Sequence, residues 1–427
     1  MKKRASLAQA AILVILAVVA VLVAVNLFGQ NEKKIRQQLS HSYDVADPQF
    51  LRAMGVLLGP PLLPGNRAAT LLNGDEIFPA MLEAIRSARR TITFETYIYW
   101  KGEVGKQFAD ALSQKAREGV KVKVMLDWLG SNKMDDALLD EMRRSGVHVE
   151  RYHALHWYTL DRLNNRTHRK LLVIDGKVGF TGGVGIADEW TGHAQDANHW
   201  RDTHYRIEGP AVAEMQAAFL DNWMKVTGEV AHGGDYFPSL ASAGGSDAQM
   251  FESSPTGGSA SMELMYLLAI VSAKRSILLE AAYFIPDDLA SGALLDARKR
   301  GVDIQIIVPG KYNDAKVTRN ASRSTWGPLL EAGVKIFEYQ PTMFHCKVMV
   351  VDGLFTSVGS TNFDNRSFSL NDEASLNVFD ASVAADQARI FEEDLAQSKE
   401  YTLADWNARS WWQRLSEWAS STVQAQL

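Results

Sequence analysis

Two stretches of this chain repeat one another in the same order, about 180 residues apart, and this repeat limits the fold more than any other feature. ARRTITFETYIYW is echoed by AKRSILLEAAYFIP, REGVKVKVML by KRGVDIQIIV, and RSGVHVERY by EAGVKIFEY. HRKLLVIDGKVGFTGG is answered by HCKVMVVDGLFTSVGS, and each copy ends on a helix-like segment, AVAEMQAAFLDNW or AADQARIFEEDL. The period is far longer than that of a solenoid, so the chain reads as a duplicated domain. Within each copy, aromatic and β-branched runs alternate with segments of helical apolar spacing. The predicted class is α/β, each copy a mixed β-sheet flanked by helices. The copies are expected at 71–231 and 250–400, joined by a Gly/Ser-rich linker at 232–249. A pseudo-twofold pair of this kind sets equivalent strand ends opposite each other, which allows one composite site.

The residues able to do chemistry stand at those strand ends. His168 and Lys170 precede an apolar run ending at Asp175, and His345 and Lys347 precede another ending at Asp352. Alternate residues of a strand share a face, so each His points the same way as its Lys. A buried strand rarely carries two polar residues without a partner. The chemistry that fits is attack on a phosphodiester. One neutral imidazole serves as nucleophile and forms a covalent phosphoenzyme. The other protonates the departing alkoxide and later deprotonates the acceptor hydroxyl. The two lysines stabilise the phosphoryl oxygens, so no metal and no cofactor are expected. Gly183 and Ser360, just past the strands, are candidate phosphate contacts. Cys346, between His345 and Lys347, faces the other side as a packed thiol. Glu95 and Glu280 recur after equivalent strands, either lining the cleft or structural. His153, His156, His193, His199 and His204 lack zinc spacing and read as loop or surface residues.

These motifs resemble the signature of the phospholipase D superfamily, H-x-K-x4-D followed by G-G/S-x-N. HCKVMVVDGLFTSVGSTN matches it through Asn362, which joins Gly183 and Ser360 as a phosphate contact. The resemblance spans both copies, roughly Leu71 to Leu395, and is greatest to bacterial cardiolipin synthases. The stretches LLNGDEIFPAMLEAI, NHWRDTHYRIEGPAV and GSTNFDNRSFSLNDE support it. It implies a phosphatidyltransferase working through a phosphohistidine, with phosphatidylglycerol as the expected substrate. It also implies that a downstream acid on a neighbouring strand orients each motif histidine, here Asp202 and Glu373. Such a carboxylate fixes the tautomer of one ring nitrogen and raises the basicity of the other. By the same analogy His168 is the nucleophile and His345 the general acid and base. Asp175 and Asp352 complete the catalytic triplets by supporting loops. The first copy departs from the pattern, with Gly185 where the family has Asn. Water in place of the alcohol would make the chain a hydrolytic phospholipase D. A nuclease of the same superfamily and a lipid-binding scaffold with a vestigial site are further readings.

The ends of the chain point to a membrane. After Lys2, Lys3 and Arg4, an apolar run from Leu7 to Phe28 meets the roughly 20 residues needed to cross a bilayer. It is longer than the apolar core of a signal peptide, the competing reading. A single-pass anchor at 7–28 in the cell membrane is expected, with basic residues on both flanks leaving its orientation balanced. A membrane-proximal linker would follow at 29–70. Trp406, Trp411, Trp412 and Trp418 lie in an amphipathic tail, 401–427, suited either to a headgroup layer or to packing on the domain. The net charge of −5 and pI of about 6.1 supply no global field for a nucleic-acid backbone, so no nucleic-acid partner is expected. Self-association is not specified by any pattern in the chain, and the single cysteine excludes an intramolecular disulfide.

Overall fold

A computed structural model describes residues 37–152, 165–254 and 261–422, with Ile35 and a few positions between 12 and 21. The first copy contributes β1 (Leu63–Leu72), β2 (Thr91–Thr96), β3 (Lys121–Asp127), β4 (His148–Tyr152), β5 (Arg166–Thr167), β6 (Leu171–Ile174), β7 (Val178–Gly182) and β8 (Thr203–Glu208). The second contributes β9 (Ser246–Ser253), β10 (Ser276–Ala281), β11 (Asp303–Pro309), β12 (Lys335–Tyr339), β13 (Lys347–Val351), β14 (Phe355–Gly359), β15 (Asn371–Phe379) and β16 (Ser398–Tyr401). One copy runs β1-β8-β7-β6-β2-β3-β4 and the other β9-β15-β14-β13-β10-β11-β12-β16. β1 pairs with β9 between them, so a single sheet crosses both copies.

Each half is mixed for a reason visible in its connections. β2, β3 and β4 are mutually parallel, as are β10, β11 and β12. Parallel neighbours need crossovers, supplied by helices Glu103–Arg117 and Asp136–Arg144 in one copy and Asp288–Lys299 and Lys316–Glu331 in the other. The remaining pairs around β6 and β13 are antiparallel, and of these the consecutive pairs β6–β7 and β13–β14 need only tight turns.

The apolar residues sort into two outer cores and a central one. Leu172 and Ile174 enter the outer core of the first copy, while Leu171 and Val173 enter the central core. Met349 and Val351 face the other outer core, and Val348 and Val350 the central one. Both faces of these strands are covered, which accounts for their uninterrupted apolar runs. The central core also holds helix Ala211–Thr227 and residues of helix Ala381–Ala396, so it ties the copies together.

Three expectations differ from the structure. The stretch expected as a linker at 29–70 contains helix Pro48–Ala53 and most of β1, and its Val45, Phe50 and Met54 are buried in the second copy's outer core. Its apolar positions are too sparse to show a period, because their partners lie some 200 residues away. β9 begins at Ser246 inside the expected 232–249 linker. His204, read as a loop or surface residue, is buried on β8 with Nδ1 unpartnered, and burial pushes its pKa down to about 4. The expected anchor at 7–28 and its orientation lie largely outside the described residues. Among the described residues no helix is long and apolar enough to cross a membrane.

Candidate active site

The two histidines are held by main chain from the opposite copy. The N–H of His168 donates to the carbonyl of Asp372 at 2.9 Å, and the N–H of His345 donates to that of Arg201 at 2.8 Å. The carboxylates come next in each strand. His168 Nδ1 lies 3.0 and 3.1 Å from the Glu373 oxygens, and His345 Nδ1 lies 2.8 Å from Asp202 Oδ2. The orienting pairs therefore cross between copies. Asp202 and Glu373 both orient a motif histidine as expected, but the expectation that each acid lies downstream of its histidine is corrected for one of them: Glu373 serves His168, and Asp202, upstream, serves His345. The family resemblance locates the acids, but the sequence carries no information on which face-to-face partner they meet.

The lysines follow a common geometry. Lys170 Nζ donates to the His168 carbonyl at 2.8 Å, and Lys347 Nζ to the His345 carbonyl at 2.7 Å. Lys347 Nζ also sits 3.2 Å from both ring nitrogens of His345. Aromatic edges wall the rings: Tyr97 lies 5.1 Å from His168, and Trp190 lies 5.2 Å from His345. Trp190 Nε1 donates to Asp202 at 2.9 Å, steadying the carboxylate that holds the ring.

Burial dominates the electrostatics. It pushes the His168 pKa down to about 4, with Lys170 and Lys347 adding to the shift and Glu373 opposing it. Burial and then Lys347 also lower His345. Burial and the facing Lys347 bring Lys170 down to about 7. For Asp202 and Glu373 burial acts upward but is outweighed by the paired histidine and lysines, so both lie below their ordinary values. The free site at neutral pH thus combines neutral imidazoles with ionised carboxylates.

Other expected site residues fall elsewhere. Asp175 and Asp352, counted in the catalytic triplets, stand at the far ends of their strands, about 23 Å of extended chain from their histidines. Asp175 accepts the N–H groups of Arg89, Arg90 and Thr91 at 3.0, 2.7 and 2.9 Å, and Asp352 those of Lys274, Arg275 and Ser276 at 2.9, 2.7 and 2.9 Å. Both adopt positive φ, 52° and 56°, and act as clasps on the neighbouring strand's entry. Gly183 is not among the residues lining the cavity: its N–H donates to the Thr203 carbonyl at 3.2 Å, and a Cβ there would fall 2.2 Å from Asp202 Oδ1. Ser360, its counterpart, donates its hydroxyl to Glu373 and so acts on the acid rather than on a ligand. Asn362 does line the cleft, with its side-chain carbonyl unpartnered. At Gly185 a Cβ would meet Ile98 Cβ at 2.8 Å, so Ile98 occupies the room that an Asn side chain needs. Cys346 is buried among Ile307, Tyr339 and Phe344. Glu95 and Glu280 are buried and do not line the cavity, and burial pushes their pKa values up to about 7 and about 8.

His168, Lys170, His345 and Asn362 open together on a cavity of about 180 Å³. Its wall adds Tyr97, Tyr283, Asp314, Asp364, Arg166 and Arg366, none of which the sequence singled out as a site residue. Residues 81–223 and 266–395 match a family model described as "Cardiolipin synthase, PLD-like domain". The chain belongs to this family. It is a phospholipase D superfamily enzyme of the cardiolipin synthase-like phosphatidyltransferase type. It is 36% identical to cardiolipin synthase 2 of Bacillus anthracis over 82% of this chain and 68% of the relative. It is also 36% identical to the major cardiolipin synthase of Bacillus subtilis (strain 168), over 82% of this chain and 73% of that one. The phosphatidylserine synthase of Haemophilus influenzae Rd KW20 shares the fold, with a TM-score of 0.68 at 14% identity over 89% of this chain and 99% of that one.

Proposed function

We propose that this enzyme moves a phosphatidyl group from one phosphatidylglycerol to another, giving cardiolipin and glycerol through a phosphohistidine at His168. The observation that carries the reading is a pair of neutral imidazoles in one cleft, each held at Nδ1 by an ionised carboxylate, beside two lysines. His168 donates its Nδ1 proton to Glu373, leaving the Nε2 lone pair to attack phosphorus. The bond from phosphorus to the glycerol oxygen breaks, and that oxygen takes the proton of His345, acquired as the anionic diester enters beside Asp202. The hydroxyl of a second phosphatidylglycerol then gives its proton to His345 and attacks phosphorus, and the phosphorus–nitrogen bond breaks. Lys170 and Lys347 stabilise the phosphoryl oxygens throughout. Purified full-length enzyme given labelled phosphatidylglycerol is expected to form cardiolipin and glycerol in equal amounts. Phosphatidic acid without cardiolipin would replace this reading with a hydrolytic phospholipase D.

A membrane location is part of the same proposal. Trp411, Trp412 and Trp418 on helix Trp411–Ser421 remain exposed, as suits a headgroup layer, and the apolar helical residues Ile12, Leu13, Leu16 and Val21 are exposed as well. Replacing Trp411, Trp412 and Trp418 with Ser is expected to reduce sedimentation with phosphatidylglycerol vesicles.

The pH profile should reflect the free site. Lys170 loses its charge as pH rises through about 7, and His168 gains a proton as pH falls through about 4. For a soluble short-chain phosphodiester, kcat/KM is expected to fall on the acid side as His168 is protonated, and on the alkaline side first as His345, lowered by burial, loses the proton it must deliver and then further as Lys170 loses its charge. A profile flat from neutrality to pH 9 would contradict the role of Lys170.

A further inference from the structure

The cleft departs from its own pseudo-twofold symmetry at one end. Arg166 stands two residues before its motif histidine, where the other copy has the buried Met343. Arg366 follows His345 at the distance at which Glu189 follows His168. The two arginines come from opposite copies and converge because β5 pairs with β15, with Arg166 opposite Asn371, just after the helix Asn365–Ser369 that carries Arg366. Both line the cavity that holds the histidines.

Arg166 is more than nine-tenths buried, yet its guanidinium is poorly served by the protein. Nη1 donates to the Asn165 carbonyl at 2.9 Å, the group lies 5.3 Å from the Trp128 ring, and Nε has no partner. Among the described residues no carboxylate lies within ion-pair distance of it. Asp127 offsets its charge most, but that carboxylate already accepts the N–H groups of Leu129, Gly130 and Thr167. Asp314 and Asp364 also face the cavity, and each has a donor of its own: the Tyr283 hydroxyl at 2.6 Å and the Ser367 N–H at 2.8 Å. A buried cation with one hydrogen bond is costly unless an anion completes it. A planar guanidinium suits a phosphodiester oxygen pair.

We infer that Arg166 and Arg366 form a second anion subsite, which holds the phosphodiester of the acceptor lipid while the His-Lys pairs hold the phosphoryl group in transfer. This rests on the transferase reading above and adds to it a reason for choosing an anionic alcohol over water. The test is the partition of products in mixed micelles of phosphatidylglycerol and a nonionic detergent, with and without ethanol as a competing neutral acceptor. Arg166→Met, which installs the other copy's residue, and Arg366→Gln, at a half-buried position, are each expected to lower the ratio of cardiolipin to phosphatidic acid by about tenfold or more. The ratio of phosphatidylethanol to phosphatidic acid should stay within about twofold of the wild-type value. If both ratios fall together, or neither changes, the subsite is overturned. If Arg166→Met fails to fold, Arg366→Gln decides. If the unaltered enzyme makes no cardiolipin, the transferase reading fails first, and the two failures are told apart.

Discussion

With a phosphodiester whose leaving group is p-nitrophenolate, His345→Ala is expected to keep most of its first-turnover rate while His168→Ala loses nearly all of it. A nitrophenolate departs without a proton, so the general acid contributes little to that step, and what it normally supplies, roughly 10²–10⁴-fold, is not missed. Loss of a nucleophile has no such remedy and costs up to about 10⁶-fold in comparable sites. With phosphatidylglycerol, whose glycerol alkoxide must be protonated, both variants should be severely impaired. Quenched-flow measurement of nitrophenolate release separates the two cases. If His168→Ala were the variant that retained a burst, the roles of the histidines would be exchanged.

Asp202→Asn should reproduce the behaviour of His345→Ala, and Glu373→Gln that of His168→Ala. The reason is geometric: Asp202 lies 2.8 Å from His345 Nδ1, and Glu373 lies 3.0 Å from His168 Nδ1, each across the junction of the copies. Replacing the carboxylate by an amide allows the wrong tautomer, and in a comparable His-Asp pair this costs about 10⁴-fold. Asp202→Asn should therefore spare the nitrophenolate burst, whereas Glu373→Gln should remove it. Pairing within a copy predicts the reverse, so one burst experiment on the two variants discriminates between the arrangements.

The parts of the site legible in sequence are those set by strand periodicity. The spacing of His168 from Lys170, and of His345 from Lys347, fixes a shared face wherever the strand lies. The apolar run after each lysine announces a strand covered on both sides, as the split of Leu171 and Leu172 between two cores bears out. Asp202 and Glu373 could be located only through the family resemblance, since they stand at unequal distances from their motif histidines. Gly183 and Ser360 were legible as neighbours of the site but not in their task, since whether a strand-end hydroxyl meets a ligand or a carboxylate depends on what packs opposite. Arg366 and Tyr283 lie in the stretches GSTNFDNRSFSLNDE and AKRSILLEAAYFIP, but nothing there marks them apart from their neighbours, and they and Arg166 gain meaning only from the walls around them.

The family resemblance placed the two acids; by itself the sequence determined that two equivalent α/β units exist and that each sets a His-Lys pair at the head of a buried strand. These are properties of local order, written in periods of two and in the repeat. Only the tertiary structure decided which acid holds which histidine, that Asp175 and Asp352 clasp backbone at the far strand ends, and that two arginines from opposite copies meet at one end of the cleft. The crossed acids and the meeting arginines arise from contacts between the copies, and the clasps from contacts between neighbouring strands of one copy, in each case between residues far apart in the chain, where no local pattern records the partner.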